Sequence, residues 1–125
     1  LLDRSVADVE QDRFAAAAAL QGRYGGAVVL KGAGTIVHGA GQRPPAVCSD
    51  GTPAMASAGM GDALTGIIAA LWAQVPALDS EQAASAAVCL HAAAGDLAGA
   101  GADRGLLAGD LIAALPRLFA GEAQA

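Results

Sequence analysis

The sequence predicts an α/β fold in which short strands are packed by several helices. Two observations carry this prediction. Short apolar runs bounded by glycine occupy the first half of the chain, and longer apolar repeats at helical spacing occupy the second. The 125 residues are enough for one domain with a real core. Since 54% of the residues are hydrophobic and only 3% are aromatic, small aliphatic side chains fill that core and imply closely packed helices.

The chain is predicted to begin with one alanine-rich helix. Ser5-Val6-Ala7-Asp8 has the form of a capping box, and Gly22 with the pair Gly25-Gly26 ends the helix. Its expected inner face is apolar: Val6, Val9, Ala16 or Ala17, and Leu20.

A β-hairpin is predicted next. Residues 27–31 form a nearly continuous apolar run, as in a strand covered on both faces, and residues 35–38 read as a second strand. Gly32-Ala33-Gly34 makes the tight turn between them. Residues 39–58 form a Gly- and Pro-rich loop with one short strand at 46–48, and a loop of this length that leads into a glycine motif favours a functional role.

Three helices are predicted in the second half. The first runs from Asp62 to about Val75, with Leu64, Ile67, Ile68, Leu71 and Val75 as its apolar stripe. The second is capped by Asp79 or Ser80 and runs to about Ala98, and its inner face is expected at Ala84, Ala87, Val88, His91 and Ala94. The third starts at Asp110 with the stripe Leu111, Ile112, Leu115, Leu118 and Phe119, and residues 120–125 are a tail.

The Gly59-Met60-Gly61-Asp62 segment is the strongest candidate site. The unpaired N–H groups and partial positive charge of a helix N-terminus suit a phosphate, and glycines let the backbone approach a ligand. A carboxylate there would repel a phosphate, but it could take a proton from a hydroxyl beside one. Aspartate is also a preferred N-cap residue, so a catalytic and a capping role for Asp62 are equally compatible with the spacing.

The segment Lys31-Gly32-Ala33-Gly34-Thr35 is the second candidate site. It offers one cation, one hydroxyl and flexible backbone N–H groups at the end of a strand, where layered α/β proteins bind ligands. Such a set can hold a nucleotide phosphate or its ribose. An ordinary hairpin turn with an exposed lysine is the competing interpretation, which composition alone slightly favours.

The remaining polar residues suggest structural roles. We expect His91 to be a satisfied core histidine, Asp96 and Asp110 to be solvated or capping, and His38 has no visible partner. Met55, Met60 and Trp72 are expected in packing or in pocket walls. No His or Cys spacing typical of metal ligands occurs, so no protein-held metal is expected.

Net charge and composition exclude some classes of binding partner. A net charge of −5 argues against nucleic-acid binding, and no apolar run reaches the length of a membrane span. Cys48 and Cys89 form no CxxC pair, and no signal-like segment precedes the fold, which together favour a cytoplasmic setting. The first residue is Leu, so we expect a fragment or processed piece that forms a single α/β unit over residues 1–125.

Two motifs in this order resemble a known family. Residues 28–35, Val-Val-Leu-Lys-Gly-Ala-Gly-Thr, and residues 51–66, Gly-Thr-Pro-Ala-Met-Ala-Ser-Ala-Gly-Met-Gly-Asp-Ala-Leu-Thr-Gly, are similar to the ADP-dependent NAD(P)H-hydrate dehydratases of the ribokinase-like superfamily. Residues 90–96 and 107–111 resemble that family's two C-terminal helices. The resemblance covers nearly the whole chain and implies the C-terminal half of a ribokinase-like three-layer α/β domain.

The resemblance implies a nicotinamide-nucleotide repair reaction. Hydrated NADH or NADPH would be dehydrated at the expense of ADP or ATP with Mg²⁺, through phosphorylation of the ring hydroxyl and elimination of phosphate. By position, residues 31–35 (Lys31, Gly32, Ala33, Gly34 and Thr35) would contact the nucleotide, with Gly59 and Gly61 at its phosphates. Asp62 would be the catalytic base facing the hydrated nicotinamide, and Thr52 and Met55 would lie on the substrate side. We also expect a homo-oligomer.

The sequence departs from the family pattern and leaves other functions open. Thr52 stands where members usually carry Asn, and Met60 replaces a smaller residue. Members have a domain about twice this length, so we expect little or no activity from this piece alone. The alternatives are a small-molecule kinase of the same superfamily, for a sugar or vitamin precursor, and a non-catalytic nucleotide-binding fragment.

Overall fold

Two short helices open the chain where one was predicted. In the computed structural model, which describes residues 1–120, α1 spans Val6–Gln11 and α2 spans Arg13–Tyr24. Ser5 and Asp8 form the predicted capping box of α1. The prediction of one continuous helix was wrong because Asp12 leaves the helical conformation, with φ −147° and ψ 86°, and its carboxylate accepts a hydrogen bond from the first turn of α2 as a new N-cap.

Three short strands form one antiparallel sheet. The strands are β1 (Val28–Leu30), β2 (Thr35–His38) and β3 (Ala46–Cys48), in the spatial order β1-β2-β3. Val29 pairs with Val37 across the predicted hairpin, and Ile36 pairs with Val47 on the other side of β2. The hairpin and the short third strand are therefore confirmed.

Helices cover both faces of the sheet. Neighbouring residues of a strand point to opposite faces, and both Ile36 and Val37 are buried. Val37 belongs to the main core with the helices of the second half, and α2 packs against β1 and β2 and buries Ala16 and Ala17 completely. This arrangement is the helix–sheet–helix layering of the predicted α/β class.

Three helices complete the second half. A 3₁₀ turn at Pro53–Met55 precedes α3 (Met60–Gln74), α4 (Ser80–Gly99) and α5 (Ala108–Phe119). The observed ends lie within two residues of the predicted ones. The predicted tail lies outside the described residues except for Ala120.

The core is built around α4, which packs against both α3 and α5. All five predicted inner-face residues of α4 are buried, because alanine and valine allow neighbouring helices to approach closely. Several predicted core residues are instead exposed: Val6, Trp72, Val75, Ile112 and Phe119. Those predictions were wrong because the apolar stripes extend beyond the surfaces on which the neighbouring elements pack.

Candidate functional site

A cavity of about 540 Å³ opens between the β1–β2 turn and the loop that follows β3. Its size suits a small organic ligand or cofactor. One wall is the turn at residues 31–35, and the opposite wall is the segment 48–53 together with Met55 and Ala56. The helices contribute the remaining lining residues: Leu64 from α3, and Val88, His91 and Ala92 from α4.

The turn at residues 31–35 has its carbonyl groups occupied from within the protein. The guanidinium of Arg13 donates to three carbonyl oxygens of the turn and of its flanking strand residue. The hydroxyl of Thr35 donates to the carbonyl of Gly32 at 3.2 Å. Gly34 has φ +70°, a backbone conformation that glycine adopts at little cost. The turn is therefore a defined structure.

The loop after β3 is fastened to α4 and to the segment beyond it. The N–H of Gly51 donates to the Asp96 carboxylate at 3.2 Å, and the Thr52 hydroxyl donates to the carbonyl of Ala102 at 3.1 Å. Met55 packs over Gly95, where a side chain would collide with its thioether. The loop thus follows a path set by the small residues of α4.

The first turn of α3 presents unpaired backbone donors. Gly59 is its N-cap in a left-handed conformation, with φ +84°, and it has no side chain to bond to these N–H groups. The first intrahelical bond runs from Ala63 N–H to the Gly59 carbonyl, so the N–H groups of residues 60–62 have no partner within the helix. This is the anion-binding geometry expected from the sequence.

Asp62 is the third residue of α3 and not its N-cap. The capping interpretation was wrong because the left-handed Gly59 takes the N-cap position. Asp62 is exposed, and its carboxylate has no hydrogen-bond or ion-pair partner within residues 1–120. The carboxylate is therefore available to a ligand.

His91 joins α4 to the start of α3. Its side chain is buried, with the residue 3% exposed, and Nε2–H donates to the Met60 carbonyl at 2.9 Å. Burial lowers the pKa of His91, the Lys31 ammonium lowers it further, and the bond to Met60 opposes both. Burial also lowers the pKa of Lys31. The prediction of a satisfied core histidine is confirmed.

The structure brings together most of the predicted site residues. The cavity wall contains Lys31, Gly32, Ala33, Gly34, Thr35, Thr52 and Met55. Gly59, Gly61 and Asp62 lie outside this wall, although Leu64 of the same helix lines it. The predicted nucleotide turn and substrate loop therefore share one cavity, and the start of α3 lies beyond its lining.

Sequence reasoning missed several residues of the site. Asp96 is not merely solvated or capping, because it anchors Gly51, and Arg13 reaches the turn from α2. His38 has a partner after all, since its Nδ1 lies 2.9 Å from the Gly39 carbonyl. Asp110 does cap α5, as predicted, by accepting from Leu107 N–H. The contacts of Arg13 and Asp96 span 17 to 45 residues of chain, so they leave no local sequence signal.

The cysteines and carboxylates of the described residues do not cluster into a metal site. Cys48 and Cys89 are free thiols, and burial together with the neighbouring Cys48 raises the pKa of Cys89. Within residues 1–120, no group of three or more His, Cys, Asp or Glu residues could hold a metal ion. No helix of that same stretch is long and apolar enough to cross a membrane.

Comparisons with known proteins agree with this geometry. The family model for NAD(P)H-hydrate dehydratase matches residues 1–117. The chain is 55% identical to a bifunctional NAD(P)H-hydrate repair enzyme of Vibrio cholerae, over 95% of this chain and 24% of that protein. It is 42% identical to the ADP-dependent (S)-NAD(P)H-hydrate dehydratase of Neisseria meningitidis, over 89% of this chain and 37% of the relative.

A solved structure shares the fold. The ADP/ATP-dependent NAD(P)H-hydrate dehydratase of Bacillus subtilis, co-crystallised with ATP and Mg²⁺, superposes with a TM-score of 0.81 at 28% identity, covering 93% of this chain and 41% of that one. The predicted ribokinase-like α/β architecture is confirmed by this likeness. The chain thus spans about a quarter of the Vibrio relative's length and less than half of the solved structure. With a family model that matches almost its full length, the chain belongs to the NAD(P)H-hydrate dehydratase family.

Proposed function

We propose that this site serves the ADP- or ATP-dependent dehydration of hydrated NADH and NADPH. The observation that carries the proposal is the single cavity shared by the Lys31–Thr35 turn and the loop at residues 48–56. One wall supplies a cation and backbone donors, and the other supplies mainly small and apolar groups. The Neisseria and Bacillus relatives are named for the same reaction, which supports the proposal.

The nucleotide is assigned to the turn. Lys31 supplies positive charge, and the N–H groups of residues 32–34 are directed to no backbone carbonyl within the described part of the chain. Backbone N–H donors together with a lysine commonly form a binding site for phosphate groups. The unpaired N–H groups of the α3 start, including those of Gly59 and Gly61, would bind the phosphates that extend beyond the cavity.

Asp62 is assigned as the base. Its unpartnered carboxylate would accept the proton of the ring hydroxyl while that oxygen forms a bond to the terminal phosphoryl group of the nucleotide. The nucleotide would leave with one phosphate fewer. Cleavage of the bond between the ring carbon and this phosphorylated oxygen would then release phosphate, and loss of a proton from the neighbouring ring carbon would restore the double bond.

Thr52 and Met55 are assigned to the substrate side as wall residues. The Thr52 hydroxyl already donates to Ala102 and accepts from Ala54 N–H, and its methyl group lies over Gly99, so its contribution to substrate binding would come from its backbone. Met55 supplies an adaptable apolar surface beside it. This assignment explains how Thr can replace the family's usual Asn.

Mg²⁺ fits as a companion of the nucleotide. Magnesium is commonly held by substrate phosphates and one or two carboxylates, and Asp50 lies on the cavity wall. When bound there, the ion would neutralise phosphate charge. We further propose a cytoplasmic setting, which the two free cysteines favour, and a homo-oligomer, to which exposed side chains such as Trp72 and Phe119 would contribute contact surface.

The test uses the full-length protein that contains this chain. It is mixed with hydrated NADH, Mg²⁺ and ADP or ATP, and the return of NADH absorbance is followed. Recovery that depends on the nucleotide supports the proposal. No recovery, together with phosphorylation of a sugar or vitamin precursor, would instead establish the kinase alternative. Nucleotide binding without either reaction would establish a non-catalytic role.

A further inference from the structure

Arg13, the first residue of α2, lies against the backbone of the β1–β2 turn. Its Nη1 donates to the carbonyls of Ala33 at 2.6 Å and Gly34 at 3.1 Å, and its Nη2 donates to the carbonyl of Leu30 at 3.2 Å. The Arg13 side chain is only 16% exposed. One planar guanidinium group therefore ties both ends of the turn together.

Arg13 does not stabilise α2, the helix to which it belongs. A cation in the first turn of a helix is opposed by the helix dipole. Its Nε is buried without a hydrogen-bond partner, and the carboxylate of Glu10 lies 3.9 Å away. Burial of a polar group without a hydrogen bond also costs free energy. The favourable contacts of the Arg13 guanidinium are those with the turn, so the turn is where this side chain contributes to the structure.

The contacts of Arg13 decide which polar atoms the turn offers to a ligand. Arg13 and the Thr35 hydroxyl occupy the carbonyls of Leu30, Gly32, Ala33 and Gly34. Within residues 1–120, the N–H groups of residues 32–34 donate to no backbone carbonyl. The turn thus keeps its electronegative oxygens engaged and its donors free, which is the arrangement an anion requires.

We propose that Arg13 is a positioning residue that holds the turn at residues 31–35 in the conformation that binds the nucleotide. It acts through the backbone and does not contact the ligand itself. The fit is close, because a Cβ at Gly32 would lie 2.7 Å from Nη2 of Arg13. The inference rests on the proposed function, which assigns the nucleotide to this turn.

The variants separate the guanidinium fork from its charge. Arg13→Gln removes the charge and most of the donors, and Arg13→Lys keeps the charge without the planar fork. Arg23→Gln is the matched control, since Arg23 lies on the same helix and also donates to a backbone carbonyl, that of Leu1 at 2.9 Å, away from the cavity. If Arg13→Gln fails to fold, Arg13→Lys carries the test.

The first measurement needs no nucleotide. Backbone ¹⁵N relaxation should show lower order parameters at residues 31–35 in both Arg13 variants, with the rest of the sheet and the Arg23→Gln control unchanged. Unchanged order at the turn would overturn the inference. Order parameters that fall uniformly throughout α2 and the sheet would also overturn the inference, because a purely structural role of Arg13 predicts that result.

The second measurement is the affinity for ADP with Mg²⁺, by isothermal titration calorimetry. We expect at least about tenfold weaker binding for Arg13→Gln, since charged hydrogen bonds of this kind contribute more than neutral ones, and no restoration by Arg13→Lys. Wild-type affinity in both variants would overturn the inference. If the wild-type chain itself binds no ADP, the proposed function fails for this chain, and the relaxation data alone decide the role of Arg13.

Discussion

Three aspartates occupy the same position in three different helices, and only one of them lacks a partner. Asp8 in α1 and Asp110 in α5 are third helical residues and accept hydrogen bonds from the backbone N–H of the N-cap residue at 3.1 and 3.0 Å. Asp62 is the third residue of α3 and makes no such bond. Helix capping therefore explains Asp8 and Asp110, but it leaves Asp62 available for chemistry.

Asp62→Asn tests that role in the full-length protein. We expect turnover of hydrated NADH to fall by about 10²- to 10⁴-fold, the range of a lost general base, while ADP affinity stays unchanged. Asp110→Asn is the matched control, because it removes a carboxylate from the same helical position and should lower stability without lowering turnover. Wild-type turnover in Asp62→Asn would remove Asp62 from the catalytic assignment.

His91 predicts how stability depends on pH. Its pKa is lowered in the folded state by burial and by Lys31, so the unfolded chain binds more protons as the pH falls below the ordinary histidine pKa of about 6.5. The free energy of unfolding should therefore be highest above this pH and decrease below it. Urea titrations between about pH 7.5 and about pH 5 should show this fall in the free energy of unfolding.

The variant His91→Leu checks the assignment of that pH dependence. Leucine has a side chain of similar size but neither titrates nor donates to the Met60 carbonyl, so the part of the pH dependence due to His91 should disappear. The fall should persist in His38→Gln, the control at the other histidine. An unaltered pH slope in His91→Leu would show that other groups cause it.

At the scale of elements, α4 is the scaffold of the cavity. His91 holds the start of α3, Asp96 holds Gly51, and Gly95 receives the side chain of Met55. These residues lie on α4 within six positions, so one helix sets the relative placement of the loop and of α3. This face of α4 is therefore needed for the site as well as for packing.

Gly95→Ala tests the scaffold. The added methyl group would collide with Met55, and we expect a loss of about 1–3 kcal/mol in stability and weaker ADP binding as Met55 is displaced within the cavity. The control is Gly66→Ala in α3, where an added Cβ meets nothing within 4 Å and should raise stability by about 0.5–1 kcal/mol. Thermal melts and ADP titrations measure both. Equal effects of the two substitutions would contradict the scaffold role.

The sequence predicted the elements better than their contacts. Periodicity and caps located the hairpin and the last three helices, because those signals are local. The break at Asp12 was missed, since a capping aspartate inside an alanine-rich run gives a weak signal. The contacts of Arg13 and Asp96 were missed for another reason: they join segments 17 to 45 residues apart, and only the packed fold brings them together.

At the scale of the whole molecule, the layers determine where the site lies. Helix α2 covers one face of the sheet and supplies Arg13, and α4 lies on the other face and supplies His91 and Asp96. The β1–β2 turn is bonded to Arg13 of α2 and lines one cavity together with His91 of α4, so both layers contribute to the same site. The motifs indicated which residues matter, and the layering accounts for their meeting.

The most direct test of this account is a titration of the ¹⁵N-labelled chain with ADP and Mg²⁺, followed by amide chemical shifts. The account predicts that the largest changes fall at residues 31–35 and at the start of α3, residues 59–62, with smaller ones along the loop at 48–56. Saturable binding whose shifts lie elsewhere, or no binding at millimolar ADP, would contradict it.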